Sequence, residues 1–240
     1  MRRVTVSAVL FDFSGTLFRL EHDGSLLAEL REVPDEPREL LNEREAELVR
    51  RLTAPVGPLD GLPAELQDAW QRRDLDPALH RDIHLEVFRR IGLDRPGLAE
   101  QLYARLISPE YWQPYPDTAQ ALRLLRAAGV RVAVVSNIAW DIRSVFARHG
   151  VLDLVDEMVL SYVEGAIKPD PKLFRAACER LGVAPERTLM IGDSPEADGG
   201  AEAVGCRVAI VDPLPTAQRP DALLRVLAEH GLGGRGRAVR

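Results

Sequence analysis

The sequence predicts an α/β fold: a doubly wound, Rossmann-like parallel sheet core with an inserted helical cap domain. Three observations carry this. Short β-branched, apolar runs alternate with amphipathic helical patterns along most of the chain. Three of those runs end in chemically useful polar residues, Asp12, Ser136-Asn137 and Gly192-Asp193, as happens where strand ends face a ligand. Between residues 19 and 112 the alternation stops and helical patterns take over.

The first element, Val4 to Phe11, is a near-continuous apolar run, the mark of a strand buried on both faces. The stretch 19–112 shows no convincing strand. Its amphipathic segments near 38–52, 62–74, 77–91 and 96–107, punctuated by Pro and Gly, read as a helical insertion. Thr118 to Ala128 carries Leu122, Leu125 and Ala128 at helical spacing, and Gly129 suits the end of that helix. Strand-like runs follow at 130–135, 157–160, 188–191 and 207–211, with helical patterns at 140–149, 171–181 and 196–204 between them. Such alternation builds a parallel sheet through right-handed crossovers. The chain therefore divides into a core of residues 1–18 and 113–240 and a cap of residues 19–112, with a disordered tail expected after Gly231.

A chain of 240 residues, 46% apolar, can bury a core of this size together with an insertion. The net charge of −6 offers no basic face for nucleic acid or an anionic membrane. The apolar run before Asp12 is too short to span a bilayer and lacks a small-residue cleavage site. Cys178 and Cys206 sit in no CxxC or His-rich context, so neither a disulfide nor a zinc site is expected, and a reducing compartment is the default. A soluble, cytoplasmic protein is expected, as a monomer or a homodimer.

Four segments converge on one sheet edge. Asp12-Phe13-Ser14-Gly15-Thr16-Leu17 follows the first strand, Ser136-Asn137 follows the second, Lys168-Pro169-Asp170-Pro171 follows the third, and Gly192-Asp193-Ser194-Pro195-Glu196-Ala197-Asp198 follows the fourth. In order, spacing and strand context this set resembles the four motifs of the haloacid dehalogenase superfamily, over about residues 8–205. The insertion after the first motif is similar to that family's helical cap. The resemblance implies a Mg2+-dependent hydrolase, a phosphatase acting on a small phosphorylated metabolite. Asp12 is then the nucleophile that forms an aspartyl-phosphate. Asp12, Asp193, Asp198 and the backbone carbonyl of Ser14 are the implied magnesium ligands, hard oxygens suited to that ion. Thr16, Ser136, Asn137 and Lys168 are the implied phosphate-binding residues, with Lys168 also catalytic through its charge. Lys168 is one of only two lysines in the chain, the other being Lys172.

One position departs from the phosphatase pattern. Members of that branch carry a second Asp two residues after the nucleophile, as acid and base, and here the residue is Ser14. A hydroxyl is too weak an acid to replace it, and such groups are worth about 10²–10⁴ in rate. A substrate with a good leaving group, such as an acyl phosphate, would need it less. Glu21, His22 and Asp23 after the first motif, or His80 and His84 in the cap, are candidate substitutes, although the His80/His84 pair reads first as a solvated helix face. Other readings stay open. A 2-haloacid dehalogenase also lacks the second Asp, but the intact Gly192-Asp193 argues against it. A phosphonoacetaldehyde hydrolase has a small residue at the Ser14 position yet needs a cap lysine, and 19–112 has none. A catalytically impaired binding or regulatory protein is the non-enzymatic alternative. Trp70 reads as cap core, and Tyr111, Trp112 and Tyr115 as hinge packing or cleft lining.

Overall fold

The structure, a computed structural model of the chain, describes residues 5–21, 62–90 and 96–233. The expected helical segment 38–52, the candidates His22 and Asp23, and residues 234–240 of the expected tail lie outside these. Leu232, also expected in a disordered tail, is instead buried, and its N–H donates to the Leu227 carbonyl at 2.7 Å.

The chain opens with β1 (Ala8–Phe11), whose four residues are all buried. A loop then leads into β2 (Phe18–Leu20). The expected cap segment contributes α1 (Ala64–Arg72), a 3-10 turn at Arg73–Leu75, α2 (Pro77–Arg90) and α3 (Leu98–Ile107). The chain returns through β3 (Trp112–Pro114), which pairs antiparallel with β2, Leu20 opposite Trp112. The β2–β3 ribbon corrects the expectation of no strand in 19–112. Three residues are too few to display a period of two, so their partnership is a tertiary fact. The ribbon straddles both expected boundaries between cap and core.

The remaining elements are α4 (Thr118–Ala127), β4 (Arg131–Ser136), α5 (Arg143–Arg148), β5 (Glu157–Leu160), α6 (Ser161–Glu164), α7 (Pro171–Leu181), β6 (Thr188–Gly192), α8 (Pro195–Asp198), β7 (Arg207–Ile210) and α9 (Ala222–Glu229). Where one helix was expected over 196–204, the four residues of α8 pass into a 3-10 stretch, Gly199–Val204. Gly200 there lies so close to Pro169 that an added Cβ would sit 2.6 Å from its carbonyl oxygen. The sheet is fully parallel in the order β5-β4-β1-β6-β7. From the central β1 the chain winds outward to one side through β4 and β5, then crosses to the other through β6 and β7. The topological switch therefore falls at β1, where such sheets bind ligands.

Alternation along each strand feeds two apolar layers. Ala8 and Leu10 point into a layer with Ala133, Val135, Leu173, Phe174 and Met190. Val9 and Phe11 point the other way, into a larger cluster that runs on through Phe13 and Trp112 to the cap residues Trp70, Phe88, Leu102 and Leu106. Each fully buried side chain of this size contributes about 1.5–3 kcal/mol. The helices of the expected cap segment and one face of the sheet thus share one continuous apolar cluster among the described residues.

His80 and His84 correct a second expectation. Both are buried, at 5% and 0% exposure, rather than on a solvated face. The His80 Nδ1 pairs with the Tyr103 hydroxyl at 3.0 Å, and the His84 Nδ1 with the His80 carbonyl at 2.6 Å. Burial, then the neighbouring His84 and Arg73, hold the His80 pKa well below the usual histidine range. Among the described residues, no helix is long and apolar enough to cross a membrane.

Candidate active site

The site is assembled at the carboxyl end of the central strands. Asp12 is the first residue after β1, and its N–H donates to the Ile191 carbonyl of β6 at 2.9 Å. Ser136 closes β4 and is buried. Asp193 follows β6 directly, and Asp198 ends α8, one turn after Ser194 caps that helix by accepting from the Ala197 N–H at 3.1 Å.

Two glycines let the carboxylates approach the backbone. At Gly15 (φ +76°) a Cβ would lie 2.3 Å from Asp193 Oδ2. The left-handed backbone and the contact each favour glycine. At Gly192 a Cβ would lie 2.0 Å from Asp198 Oδ2.

Lys168 sits at the centre, 2% exposed. Its ammonium donates to Asp12 Oδ1 at 2.7 Å and to Asp198 Oδ1 at 2.6 Å. Asp198 Oδ2 accepts from the Ser194 N–H at 3.0 Å, so both of its oxygens are engaged. Asn137 holds the other side of the lysine loop. Its Oδ1 accepts from the Lys168 N–H at 2.7 Å and its Nδ2 donates to the Lys168 carbonyl at 3.2 Å. In the structure Asn137 therefore fixes the lysine backbone.

Burial raises the Asp12 pKa; the attraction of Lys168 opposes the rise and the charge of Asp198 adds to it. Asp193 is pushed up to about 8, by burial first and then by Asp12 and Asp198. Burial alone would lower Lys168, but Asp12 and Asp198 outweigh it and hold the ammonium above its ordinary range. Three carboxylates against one ammonium leave an excess of negative charge when all are ionised. One ligand oxygen from each of Asp12, Asp193 and Asp198 lies within 4.8 Å of the others. Asp193 Oδ1 is buried without a hydrogen-bond partner among the described residues. An orphaned oxygen among hard donors is what a divalent cation satisfies.

The other expected residues lie around this centre. Ser14 is half-buried, and its backbone bridges to Phe18. Thr16 is fully buried, and its Oγ1 has no hydrogen-bond partner among the described residues. Glu21 is engaged elsewhere, its Oε1 accepting from the Thr216 N–H at 2.8 Å. Trp112 and Tyr115 are buried where the chain returns to the sheet: the Trp112 indole donates to the Leu106 carbonyl at 2.9 Å and the Tyr115 hydroxyl to the Leu214 carbonyl at 2.9 Å.

Three residues escape sequence reasoning. The buried Arg219 donates to the carbonyls of Gly15 and Thr16, gripping the loop after Asp12. Ser161 Oγ accepts from the Ile138 N–H at 2.8 Å and lies 2.6 Å from the Asp74 carbonyl, joining the cap turn to the loop after Ser136. Asp74 itself is buried; its carboxylate lies 3.7 Å from Arg73 and 3.8 Å from His80. No local signal marks any of them: Arg219 precedes a proline, and Asp74 sits in a charged Arg-Arg-Asp-Leu-Asp run that reads as solvent-facing.

A family model for haloacid dehalogenase-like hydrolases matches residues 6–205. A glyceraldehyde 3-phosphate phosphatase of Methanopyrus kandleri is 33% identical over 205 residues, covering 83% of this chain and 81% of that protein. The haloacid dehalogenase-like hydrolase domain-containing protein 3 of Mus musculus is 33% identical over 147 residues, 58% of this chain; the match spans only 59% of that relative's length. Among solved structures, an L-2-haloacid dehalogenase from Xanthobacter autotrophicus aligns with a TM-score of 0.62 at 25% identity, covering 96% of this chain and 85% of that one. With four motif segments gathered at one sheet edge and the family model covering most of the sequence, the chain belongs to the haloacid dehalogenase-like hydrolases.

Proposed function

We propose that this hydrolase is a Mg2+-dependent phosphatase that transfers the phosphoryl group of a small phosphorylated metabolite to Asp12 and then to water. The observation that carries the reading is the carboxylate trio, with ligand oxygens within 4.8 Å of one another and Asp193 Oδ1 orphaned. Asp12, Asp193 and the Ser14 carbonyl would hold the ion, with Asp198 directly or through water. Bound there, Mg2+ supplies charge neutralisation between the carboxylate nucleophile and the phosphoryl oxygens. The phosphatase name of the Methanopyrus kandleri relative supports the same reaction class.

The residues divide the work. Lys168 holds Asp12 Oδ1 and leaves Oδ2 to attack phosphorus. Thr16 Oγ1 and the Ser136 hydroxyl are the donors for phosphoryl oxygens, and the Lys168 charge stabilises their developing negative charge. Asp198 and Asn137 keep the lysine in place. Ser14 supplies no acid for the leaving oxygen, so substrates with good leaving groups are favoured.

The test is Mg2+-dependent phosphate release across a panel of phosphorylated metabolites, acyl phosphates included, with wild type, Asp12→Asn and Ser14→Asp. Wild type releases phosphate and Asp12→Asn loses essentially all of it. Ser14→Asp accelerates turnover of poor leaving groups by about 10²-fold, within the usual range for an acid–base group. Full turnover by Asp12→Asn sinks the reading. A dehalogenase is the second reading, favoured by Ser14, the Ser136-Asn137 pair and the Xanthobacter autotrophicus neighbour. It predicts halide release from 2-haloacids in chelator, with no phosphate released from any of the panel.

A further inference from the structure

Away from the strand ends, Cys178 and Cys206 meet near the opposite edge of the sheet. Cys178 lies on α7 and Cys206 immediately before β7. Their sulfurs are 3.9 Å apart, and both residues are buried. The contact ends a short relay: the Cys178 thiol donates to Thr188 Oγ1 at 3.8 Å, and that hydroxyl donates to the Ala184 carbonyl at 3.1 Å. Cys178 also lines a cavity of about 310 Å³, open to solvent and walled by Arg175, Glu179 and the turn 182–185. The proposed phosphatase chemistry uses neither thiol.

We infer that Cys178 and Cys206 are a modification site, a dithiol that closes to an intramolecular disulfide when a peroxide enters the cavity beside Cys178. A disulfide needs sulfurs about 2.05 Å apart, so the pair, at 3.9 Å, must close by roughly 1.9 Å. Cys178 is the attacking sulfur because it lines the cavity and has Cys206 as a hydrogen-bond partner. That partner draws its pKa down, against the opposing effect of burial. The Cys178 thiolate attacks a peroxide oxygen; an S–O bond forms, the O–O bond breaks, and the departing oxygen leaves as water. The Cys206 sulfur then attacks the sulfenic sulfur. The S–S bond forms, the S–O bond breaks, and a second water carries off the thiol proton. Two electrons pass from the two sulfurs to the peroxide. The closed ring spans the segment between the cysteines, including β6, Asp193 and Asp198.

The full chain is treated with hydrogen peroxide, denatured in an alkylating agent, and analysed by intact mass and peptide mapping. Alkylatable thiols fall from two to none, the mass drops by two hydrogens, and one cross-linked peptide joins Cys178 to Cys206 within a single chain. A small dithiol restores both thiols. In Cys206→Ala, a sulfenic acid at Cys178 is trapped by dimedone. In Cys178→Ala, Cys206 reacts at least tenfold more slowly than Cys178 does. Peroxide that leaves both wild-type thiols intact overturns the proposal, as does oxidation to sulfinic acid without a cross-link or a disulfide joining two chains. The wild-type measurements stand even if a variant folds poorly.

Discussion

Asp198 spends one oxygen on Lys168 and the other on the Ser194 N–H, and it can do so only because Gly192 has no side chain to displace it. Gly192→Ala tests that constraint. Its φ lies outside the left-handed region, so the penalty comes from the 2.0 Å contact alone. The added methyl forces Asp198 away and lets Lys168 drift from Asp12. Misplacement on this scale costs about 10²-fold in kcat, while overpacking one methyl costs about 1–3 kcal/mol. Phosphate release and urea unfolding measure the two effects, and wild-type kcat in the variant would refute the coupling. At this scale, legibility followed locality. Asp12, Ser136, Lys168, Asp193 and Asp198 each stand in a short motif at a strand end or its loop, so they could be read one segment at a time. The clamp by Asn137, the grip of Arg219 on the Gly15 and Thr16 carbonyls, and the burial of His80 and His84 depend on partners 31, 203–204 and 23 residues away.

Elements show the same division. The strands β4, β5 and β6 were legible because continuous apolar runs need no partner to declare themselves. Two three-residue strands were not, nor was α9, which follows the prolines at 213, 215 and 220 and buries Leu223, Val226 and Leu227. Where the helices of the expected cap segment meet the sheet region, short elements pair. The turn Arg73–Leu75 meets the first residue of α6, where the Ser161 hydroxyl lies between the Asp74 carbonyl and Ile138. Ser161→Ala strips the Ile138 N–H of its acceptor and the cap turn of its donor. Leaving such groups buried and unpaired costs about 1–3 kcal/mol. The cap is also freed from the loop after Ser136, so KM rises more than kcat falls. Urea midpoints and steady-state kinetics separate the two effects, and a variant with unchanged KM would assign Ser161 to stability alone.

For the whole molecule, folding gathers three carboxylates, from the ends of β1 and β6 and from α8, beside the Lys168 ammonium, and that concentration should link stability to pH and, under the proposed function, to Mg2+. The folded Asp193 has its pKa raised to about 8, against about 3.9 in an unfolded chain. The folded state therefore holds this proton more tightly than the unfolded state does. The contribution is fully present below about pH 4 and is lost as pH climbs through about 8. Asp12, raised mainly by burial, acts in the same direction. In chelator, the thermal midpoint should therefore fall as pH rises across that window, by more than the rest of the titrating surface explains. Asp193→Asn, whose side chain cannot ionise, should flatten the fall. Mg2+ must displace the same proton to bind, so its stabilising shift should be small near pH 5 and grow towards pH 8, reaching about 2.7 kcal/mol at one hundred times Kd. Melting curves in chelator and in excess Mg2+ over this range decide the matter. A shift that does not grow with pH would mean that the ion, if it binds, does so away from Asp193. A growing shift that disappears in Asp193→Asn would tie metal, proton and fold to Asp193 Oδ1, which has no partner among the described residues.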